Sequence, residues 1–171
     1  MNLFESIYDN AKNLATYKHG KTGATRRFTG LPYIVHPEGV ERILQSLTSD
    51  EDLLAAAWAH DLLEDTDTNF DELMNEIGEN AASIVLEVTT DKGIRAKYGK
   101  ERAIDMELMN LSSKALSLKL ADMLYNYSDH ADKIQKDRIK HHIGIVKQFR
   151  HLNSIQRELV SMLESMFNMI S

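Results

Sequence analysis

The sequence predicts an all-α fold in a single domain, and three observations support this. Apolar residues recur at helical spacing along most of the chain. No segment alternates apolar and polar residues between Asn-Gly or Asp-Gly turns, the pattern of a β-hairpin. The 171 residues fit one domain of ordinary size, and 43% of them are apolar, which is enough for a single core. We therefore expect a helical bundle of about eight or nine helices that occupies residues 1–171.

The first half of the chain contains most of the breaks between helices. Both prolines and five of the eight glycines fall there. Apolar residues at 3–17 indicate the first helix, and Pro37 is expected in the first turn of the second. Residues 49–52 are typical of an N-cap followed by an acidic first turn. Thr68 predicts another N-cap, and the helix that follows is expected to end at Gly78.

The second half is predicted to form longer helices. Their apolar stripes lie at residues 81–88, 103–108, 115–127, 139–149 and 155–170. Met162, Met166 and Met169 on the last stripe suit either the core or a subunit contact, so a homodimer is an open alternative. Two polar loops, 19–33 and 89–97, are expected to lie near a ligand pocket.

Composition narrows the class of protein. The absence of cysteine excludes disulfides, zinc ribbons and thiol nucleophiles. No run of about 18 apolar residues predicts a membrane span, and the N-terminus has the pattern of an amphipathic helix and not of a signal peptide. We therefore expect a cytoplasmic protein that does not enter a membrane.

Charge is unevenly distributed along the chain. The net charge of −6 argues against a nucleic-acid partner. However, residues 10–37 contain no acidic residue and five basic ones, which are Lys12, Lys18, Lys21, Arg26 and Arg27. Such a basic segment suits a small polyanionic ligand, and the alternative is a solvated basic loop.

The segment AHDLLEDTD, residues 59–67, is the first candidate for a chemical site. It follows an almost wholly apolar helix, yet it places His60, Asp61, Glu64 and Asp65 within six residues. Helical spacing sets His60 over Glu64 and Asp61 over Asp65. Burying several carboxylates together costs several kcal/mol per ion unless something compensates, and a divalent cation is the simplest compensation. Mn²⁺, Fe²⁺ and Zn²⁺ all suit these ligands. The alternative is a helix end that emerges into water.

Two further residues could contribute to such a site. His36, in the segment PYIVHP, has an apolar setting and by itself suits a buried core histidine better than a ligand. Asp122 lies on a strongly apolar helix and needs an arginine, a helix N-terminus or a metal as its partner. His141 and His142 are adjacent and point about 100° apart on a helix, which favours a surface role for both.

Taken together, the segments RRFTGLPYIVHP, AAAWAHDLLEDTDTNFDEL and LSLKLADMLYN resemble the HD superfamily of metal-dependent phosphohydrolases. The likeness is greatest to the hydrolase domain of the Rel/SpoT alarmone enzymes and to the small stand-alone alarmone hydrolases. It covers residues 5–150, which are most of the chain, and the three segments occur in the family's order.

The resemblance implies an all-helical fold with one Mn²⁺ per chain, or Fe²⁺ or Zn²⁺ in its place. It implies four metal ligands: His36, His60, Asp61 and Asp122. It also implies that Glu64 and Asp65 position or deprotonate the attacking water. The substrate contacts that it suggests are Arg26, Arg27, Lys119, Asn126, Arg138 and His142.

The implied reaction is removal of the 3′-pyrophosphate of ppGpp or pppGpp, by water activated at the metal. A second hypothesis retains the metal and changes the substrate to ppApp, NADPH or a nucleoside monophosphate. A third is a binding module that senses a nucleotide without catalysis. Both the acid/base pair and the ligands are present in the sequence, which favours catalysis.

Overall fold

The structure is a computed structural model, and it describes residues 6–169. The helices are α1 (Ile7–Thr22), α2 (Val35–Gln45), α3 (Glu51–Ala59), α4 (Leu62–Asp65), α5 (Phe70–Val88), α6 (Lys92–Tyr98), α7 (Lys100–Asn110), α8 (Ser113–Asp129), α9 (Lys133–Phe149) and α10 (Ser154–Met169). Eight of these have nine residues or more, and α4 and α6 are short. Within this part of the chain the extended pairing is limited to one isolated bridge between Thr25 and Pro32. The predicted all-α fold is confirmed.

Helix α3 forms the centre of the bundle. Every residue from Leu53 to Ala59 is buried, and the helix contacts α1, α2, α5 and α8. Its three consecutive alanines let the neighbouring helices approach closely, while Trp58 fills the space towards α1, where Lys12 lies over its ring. Full burial of each leucine contributes about 1.5–3 kcal/mol. The polar residues that follow this helix therefore begin inside the protein and not at its surface.

Two N-caps lie one residue after the predicted position: α3 is capped by Asp50 and not by Ser49, and α5 by Asn69 and not by Thr68. The Asp50 side chain accepts a hydrogen bond from the Leu53 amide at 3.1 Å, as expected for an N-cap. The cap of α5 is Asn69, which accepts from the Glu72 amide, so the assignment to Thr68 was wrong by one residue. The asparagine oxygen reaches the orphan amide, whereas the Thr68 hydroxyl lies 2.8 Å from that of Thr66.

Gly78 interrupts α5, as predicted. Its φ of 80° and ψ of 163° are non-helical, and they lie in a region that side chains other than glycine rarely adopt. A second helical stretch then continues to Val88. Leu3 and Ile170, which the apolar pattern also assigned to helices, lie outside the described residues, as does the side chain of Met169. Met162 and Met166 are half-buried against the core.

No helix in the part of the chain that the structure describes has the length and apolar character needed to cross a membrane.

Helices α2 and α8 meet at a close contact between Gly39 and the ring of Tyr125. A β-carbon at Gly39 would overlap that ring, with Cζ at only 2.7 Å. The Tyr125 ring also lies close to a candidate metal ligand, since the His36 ring centre is 5.2 Å away. The absence of a side chain at Gly39 therefore sets where Tyr125 and α8 lie relative to α2.

We expect Gly39→Ala to destabilise the fold by about 1–3 kcal/mol, because overpacking costs more than the gain of about 1 kcal/mol in helix propensity. Urea unfolding measures the change. Gly144→Ala is the matched control: Gly144 is also helical, but nothing lies within 4 Å of its added carbon, so this variant should be neutral or more stable. Equal effects of the two substitutions would contradict the proposed overlap.

Candidate active site

The end of α3 directs His60 and Asp61 into the interior. Residues 60 and 61 form a turn between α3 and α4, so the single continuous helix expected through residues 59–65 is interrupted. Asp61 retains one helical hydrogen bond, from the Asp65 amide to its carbonyl at 2.9 Å. His60 Nε2 lies 3.2 Å from Asp61 Oδ2. The side chains of these adjacent residues therefore reach the same centre from the turn between the two helices.

Three helical regions bring four side chains to this centre. His36 comes from α2, His60 and Asp61 from the α3–α4 turn, and Asp122 from α8. His36 Nε2 lies 3.1 Å from His60 Nε2, 3.3 Å from Asp61 Oδ2 and 3.2 Å from Asp122 Oδ1. One ligand atom each of His36, His60 and Asp122 lies within 4.8 Å of the others. The structure therefore brings together all four residues predicted to bind a metal.

The orientation of the His60 imidazole fits a divalent cation. His60 Nδ1 lies 2.8 Å from the Ala57 carbonyl oxygen, which can only accept. The proton of a neutral His60 is therefore held on Nδ1, and the Nε2 lone pair faces the cluster, the usual arrangement of a metal-ligating histidine. Two imidazoles and two carboxylates form a donor set suitable for Mn²⁺, Fe²⁺ or Zn²⁺.

Strong electrostatic coupling holds these four groups together. Burial lowers the pKa of His60, but the charges of Asp61 and Asp122 outweigh it and raise the value to about 9. Burial alone would raise the pKa of Asp61, yet His60 and His36 keep it well below its usual range. Two carboxylates thus stay ionised inside the protein and attract cations, whether protons on the histidines or a metal.

Tyr33 is a neighbour of this cluster that we did not single out from the sequence. Its hydroxyl donates a hydrogen bond to Asp61 Oδ2 at 2.7 Å. Burial and the charge of Asp61 raise the pKa of Tyr33, so the hydroxyl stays protonated and remains a donor. The sequence could have indicated this neighbour, because Tyr33 lies in the same PYIVHP segment as His36.

The two predicted acid/base residues lie in different environments. Glu64 lines the cavity that contains the cluster, and its Oε1 accepts a hydrogen bond from the Thr90 amide at 2.6 Å. Asp65 is exposed and is not part of the cavity wall. Adjacent helical residues point about 100° apart, so only one of the pair can face inward. The catalytic role of either residue stays a prediction.

The cavity has a volume of about 370 Å³, and its lining includes several basic residues. Lys119 is nearly buried, and its Nζ pairs with Glu107 Oε1 at 2.9 Å. Arg138 pairs with Glu101 at 2.7 Å. Arg95 and Lys100 also line the cavity, and within residues 6–169 neither side chain forms an ion pair. The prediction of a loop at 89–97 was wrong for residues 92–97, which belong to α6 because Asp91 caps a short helix there. Arg95 lies on this helix and Lys100 just after it, and no motif had indicated either residue.

His142 lines the same cavity and is only 2% exposed. The expectation of a surface role for both adjacent histidines was therefore wrong for His142 and correct for His141, which is exposed and pairs with Asp105 at 3.0 Å. Burial lowers the pKa of His142, so its ring is neutral near physiological pH.

Of the two adjacent arginines in the first loop, only one lines the cavity. Arg26 lines the cavity, but its Nε donates to Asp129 at 3.1 Å and its Nη2 to Asn126 Oδ1 at 2.7 Å. Arg27 is exposed, lies over the Phe28 ring, and is not part of the cavity wall. Asn126 in turn donates to Asp122 Oδ1 at 2.6 Å. Direct contact of these residues with substrate stays a prediction.

Comparison with known proteins shows the family of the chain. The family model described as "HD domain" matches residues 11–146. The chain belongs to the HD domain family. The matched range contains all four residues of the cluster.

Similar HD-domain proteins carry names that describe one activity. The guanosine-3′,5′-bis(diphosphate) 3′-pyrophosphohydrolase MESH1 of Danio rerio is 41% identical over 119 residues, which are 68% of this chain and 65% of that protein. The enzyme of the same name, without the MESH1 designation, from Aquifex aeolicus is 38% identical over 120 residues, 68% of this chain and 16% of that protein. The match thus spans slightly less than two thirds of the MESH1 protein and a small part of the bacterial one.

A solved structure has the same fold. It is described by the words "A metazoan ortholog of SpoT hydrolyzes ppGpp and plays a role in starvation responses". The TM-score is 0.77 at 25% sequence identity, with 99% of this chain and 98% of the other chain covered. The similarity therefore extends over the whole helical bundle and is not limited to the segments around the cluster.

Proposed function

We propose that this HD-domain protein removes the 3′-pyrophosphate from ppGpp or pppGpp. In this proposal one divalent cation, preferably Mn²⁺, is held by His36, His60, Asp61 and Asp122. The observation that carries the proposal is the position of these four side chains in the wall of one cavity, together with Glu64 and with Arg95 and Lys100, which have no ion-pair partner among the described residues. The names of the similar proteins support the choice of substrate. A cytoplasmic location and a homodimer stay predictions from the sequence.

The proposed reaction is a direct attack by water. The water oxygen bonds to the phosphorus that carries the ribose 3′-oxygen, and the bond between that phosphorus and the 3′-oxygen breaks. The products are pyrophosphate and a nucleotide whose 3′-oxygen has gained a proton. A bound cation supplies Lewis acidity, which polarises the phosphoryl group and lowers the pKa of water.

Glu64 is the proposed acceptor of the proton from the attacking water. The Thr90 amide holds one of its oxygens, which fixes the carboxylate at the cavity wall and leaves the other oxygen available. A positioned carboxylate of this kind contributes about 10²–10⁴-fold to rate. Lys119, held by Glu107, places a nearly buried positive charge in the cavity wall, where it would neutralise phosphate oxygens.

A substrate panel tests the proposed function. Purified protein is incubated with Mn²⁺ and each of ppGpp, pppGpp, ppApp, NADPH and a nucleoside monophosphate, and the products are separated by anion-exchange chromatography. We expect pyrophosphate release from ppGpp and pppGpp and none from the monophosphate. Release of phosphate from NADPH alone would reassign the substrate while leaving the metal site in place.

Arg95 and Lys100 are the proposed contacts for the phosphate groups at the cavity mouth, because they line it without a carboxylate partner in the described residues. We expect Arg95→Ala to raise KM about tenfold, equal to ~1.4 kcal/mol, with little change in kcat. Lys97→Ala is the control: Lys97 belongs to the same helix but lies over Tyr98 and outside the cavity wall. If both variants raised KM equally, general charge and not a specific contact would be responsible.

A further inference from the structure

The loop between α1 and α2 presents two side chains to the region of the cluster: Tyr33 contacts Asp61 directly, and Arg26 contacts Asn126, which bonds to Asp122. The loop backbone is closed by hydrogen bonds from the Arg26 amide to the Leu31 carbonyl at 2.8 Å and from the Tyr33 amide to the Ala24 carbonyl at 2.9 Å. Gly30, with a φ of 71°, allows the turn. Arg26 and Tyr33 therefore emerge side by side from a defined hairpin-like loop.

The Arg26 guanidinium is enclosed on several sides. It lies 5.6 Å from the Tyr33 ring centre and 5.8 Å from that of Tyr125. Its side chain is 12% exposed, and that of its ion-pair partner Asp129 is 9% exposed. A guanidinium held between two rings and paired with a buried carboxylate is poorly placed to turn towards a phosphate.

The second hydrogen bond of Arg26 determines how Asn126 is oriented. A guanidinium can only donate, so the Asn126 oxygen must face Arg26, at 2.7 Å from Nη2. The amide nitrogen then faces Asp122, whose Oδ1 accepts from it at 2.6 Å. The same Oδ1 lies 3.2 Å from His36 Nε2. Without Arg26, the Asn126 oxygen loses its charged donor, so the amide is held at one end only and fixes the Asp122 carboxylate less firmly.

We propose that Arg26 is a positioning residue that orients Asp122 through Asn126 and thereby sets the affinity of the site for a divalent cation. Asp129 anchors the far end of this connection, so the relay runs from Asp129 through Arg26 and Asn126 to Asp122. The inference rests on the proposed metal site, and it gives Arg26 a role other than the phosphate contact suggested by the sequence. Residues that orient metal ligands by hydrogen bonds typically change metal affinity by 10- to 100-fold when they are removed.

The test measures Mn²⁺ binding alone, without nucleotide, on the metal-stripped full chain by competition with a chelating dye. We expect Arg26→Ala to weaken Mn²⁺ binding about tenfold. Arg27→Ala should bind Mn²⁺ within twofold of wild type, because Arg27 lies in the same loop but outside the cavity wall. Arg26→Lys retains the charge next to Asp129 but loses the planar fork that reaches both partners, so an intermediate affinity is expected.

Asn126→Ala provides a second route, because Arg26→Ala leaves Asp129 buried without its partner and could unfold the protein. Asn126→Ala leaves the Arg26–Asp129 pair intact and removes only the connection to Asp122. It should also weaken Mn²⁺ binding about tenfold, and adding Arg26→Ala to it should cause little further loss. Circular dichroism checks the fold of each variant, and excess Mn²⁺ should restore the turnover of Arg26→Ala.

The outcomes separate the two proposals. Wild-type affinity in a folded Asn126→Ala or Arg26→Ala variant would overturn the relay and leave the metal site standing. Fully additive losses in the double variant would also overturn it, since independent contributions exclude a shared path. If the wild-type protein itself does not bind Mn²⁺, the proposed metal site fails and the relay fails with it.

Discussion

Asp61→Asn is expected to abolish metal retention and turnover together. Asp61 Oδ2 lies within 3.3 Å of both histidine Nε2 atoms and accepts the Tyr33 hydroxyl, so it lies at the middle of the cluster. The substitution preserves the shape of the side chain and removes its charge. We expect Mn²⁺ affinity to fall by more than about 100-fold, beyond the range for residues that only orient ligands. His60→Ala should have the same two effects.

Thermal unfolding with and without Mn²⁺ measures this loss independently of substrate. A ligand that binds only the folded state stabilises it by about 2.7 kcal/mol at 100 times its Kd. The Tm of the wild type should therefore rise with added Mn²⁺, and that of Asp61→Asn should not. Asp67→Asn is a suitable control, since the Asp67 side chain is 58% exposed, pairs with Lys18 and Lys21, and lies outside the cavity wall. An Asp61→Asn protein that turns over substrate without metal would refute the proposed site.

The main features of the fold and of the cluster could be predicted because they depend on local patterns. Helical spacing of apolar residues is sufficient to define most of the helices, and the burial of α3 follows from its nearly complete lack of polar residues. Because His60 and Asp61 directly follow a buried helix, their polar side chains need hydrogen-bond or metal partners inside the protein. His36 and Asp122 could be added only by resemblance, because no spacing along the chain relates residues on three different helices.

What the sequence could not predict are contacts between distant residues. Arg26 and Asp129 are separated by 103 positions, and nothing in either segment indicates that they pair. Arg26 therefore has the same sequence signature as a free phosphate ligand. Glu107, which pairs with Lys119, lies on a helix without any motif. In each case the tertiary partner decides whether a basic residue is available to a ligand, and this partner is set by helix packing.

The sequence also could not predict which of two adjacent residues, such as Glu64 and Asp65, faces the cavity. Sequence spacing places Glu64 and Asp65 together in the segment 59–67. The direction of each side chain, however, depends on where α4 begins after the α3–α4 turn. The turn sends Glu64 to the cavity wall and leaves Asp65 exposed. The same reasoning separates His142 from His141. Pairs of functional candidates that are neighbours in sequence should therefore be tested singly.

Glu64→Gln is expected to retain metal and lose rate. Glutamine has the same size and can still accept the hydrogen bond from the Thr90 amide, so the cavity wall should be preserved. It cannot take up a proton from water, and we expect kcat to fall by about 10²–10⁴-fold. Mn²⁺ affinity, measured without nucleotide, should stay within a few-fold of wild type, because Glu64 is not one of the four clustered residues.

The control for Glu64 is its neighbour. Asp65→Asn removes the same charge one residue away, at an exposed position outside the cavity wall, and should leave kcat nearly unchanged. A large fall in kcat for Asp65→Asn with none for Glu64→Gln would exchange their roles. Equal activity of Glu64→Gln and wild type would remove Glu64 from the mechanism. A joint loss of metal and rate in Glu64→Gln would instead identify Glu64 as a fifth ligand, so the two measurements together distinguish a proton acceptor from a metal-binding group.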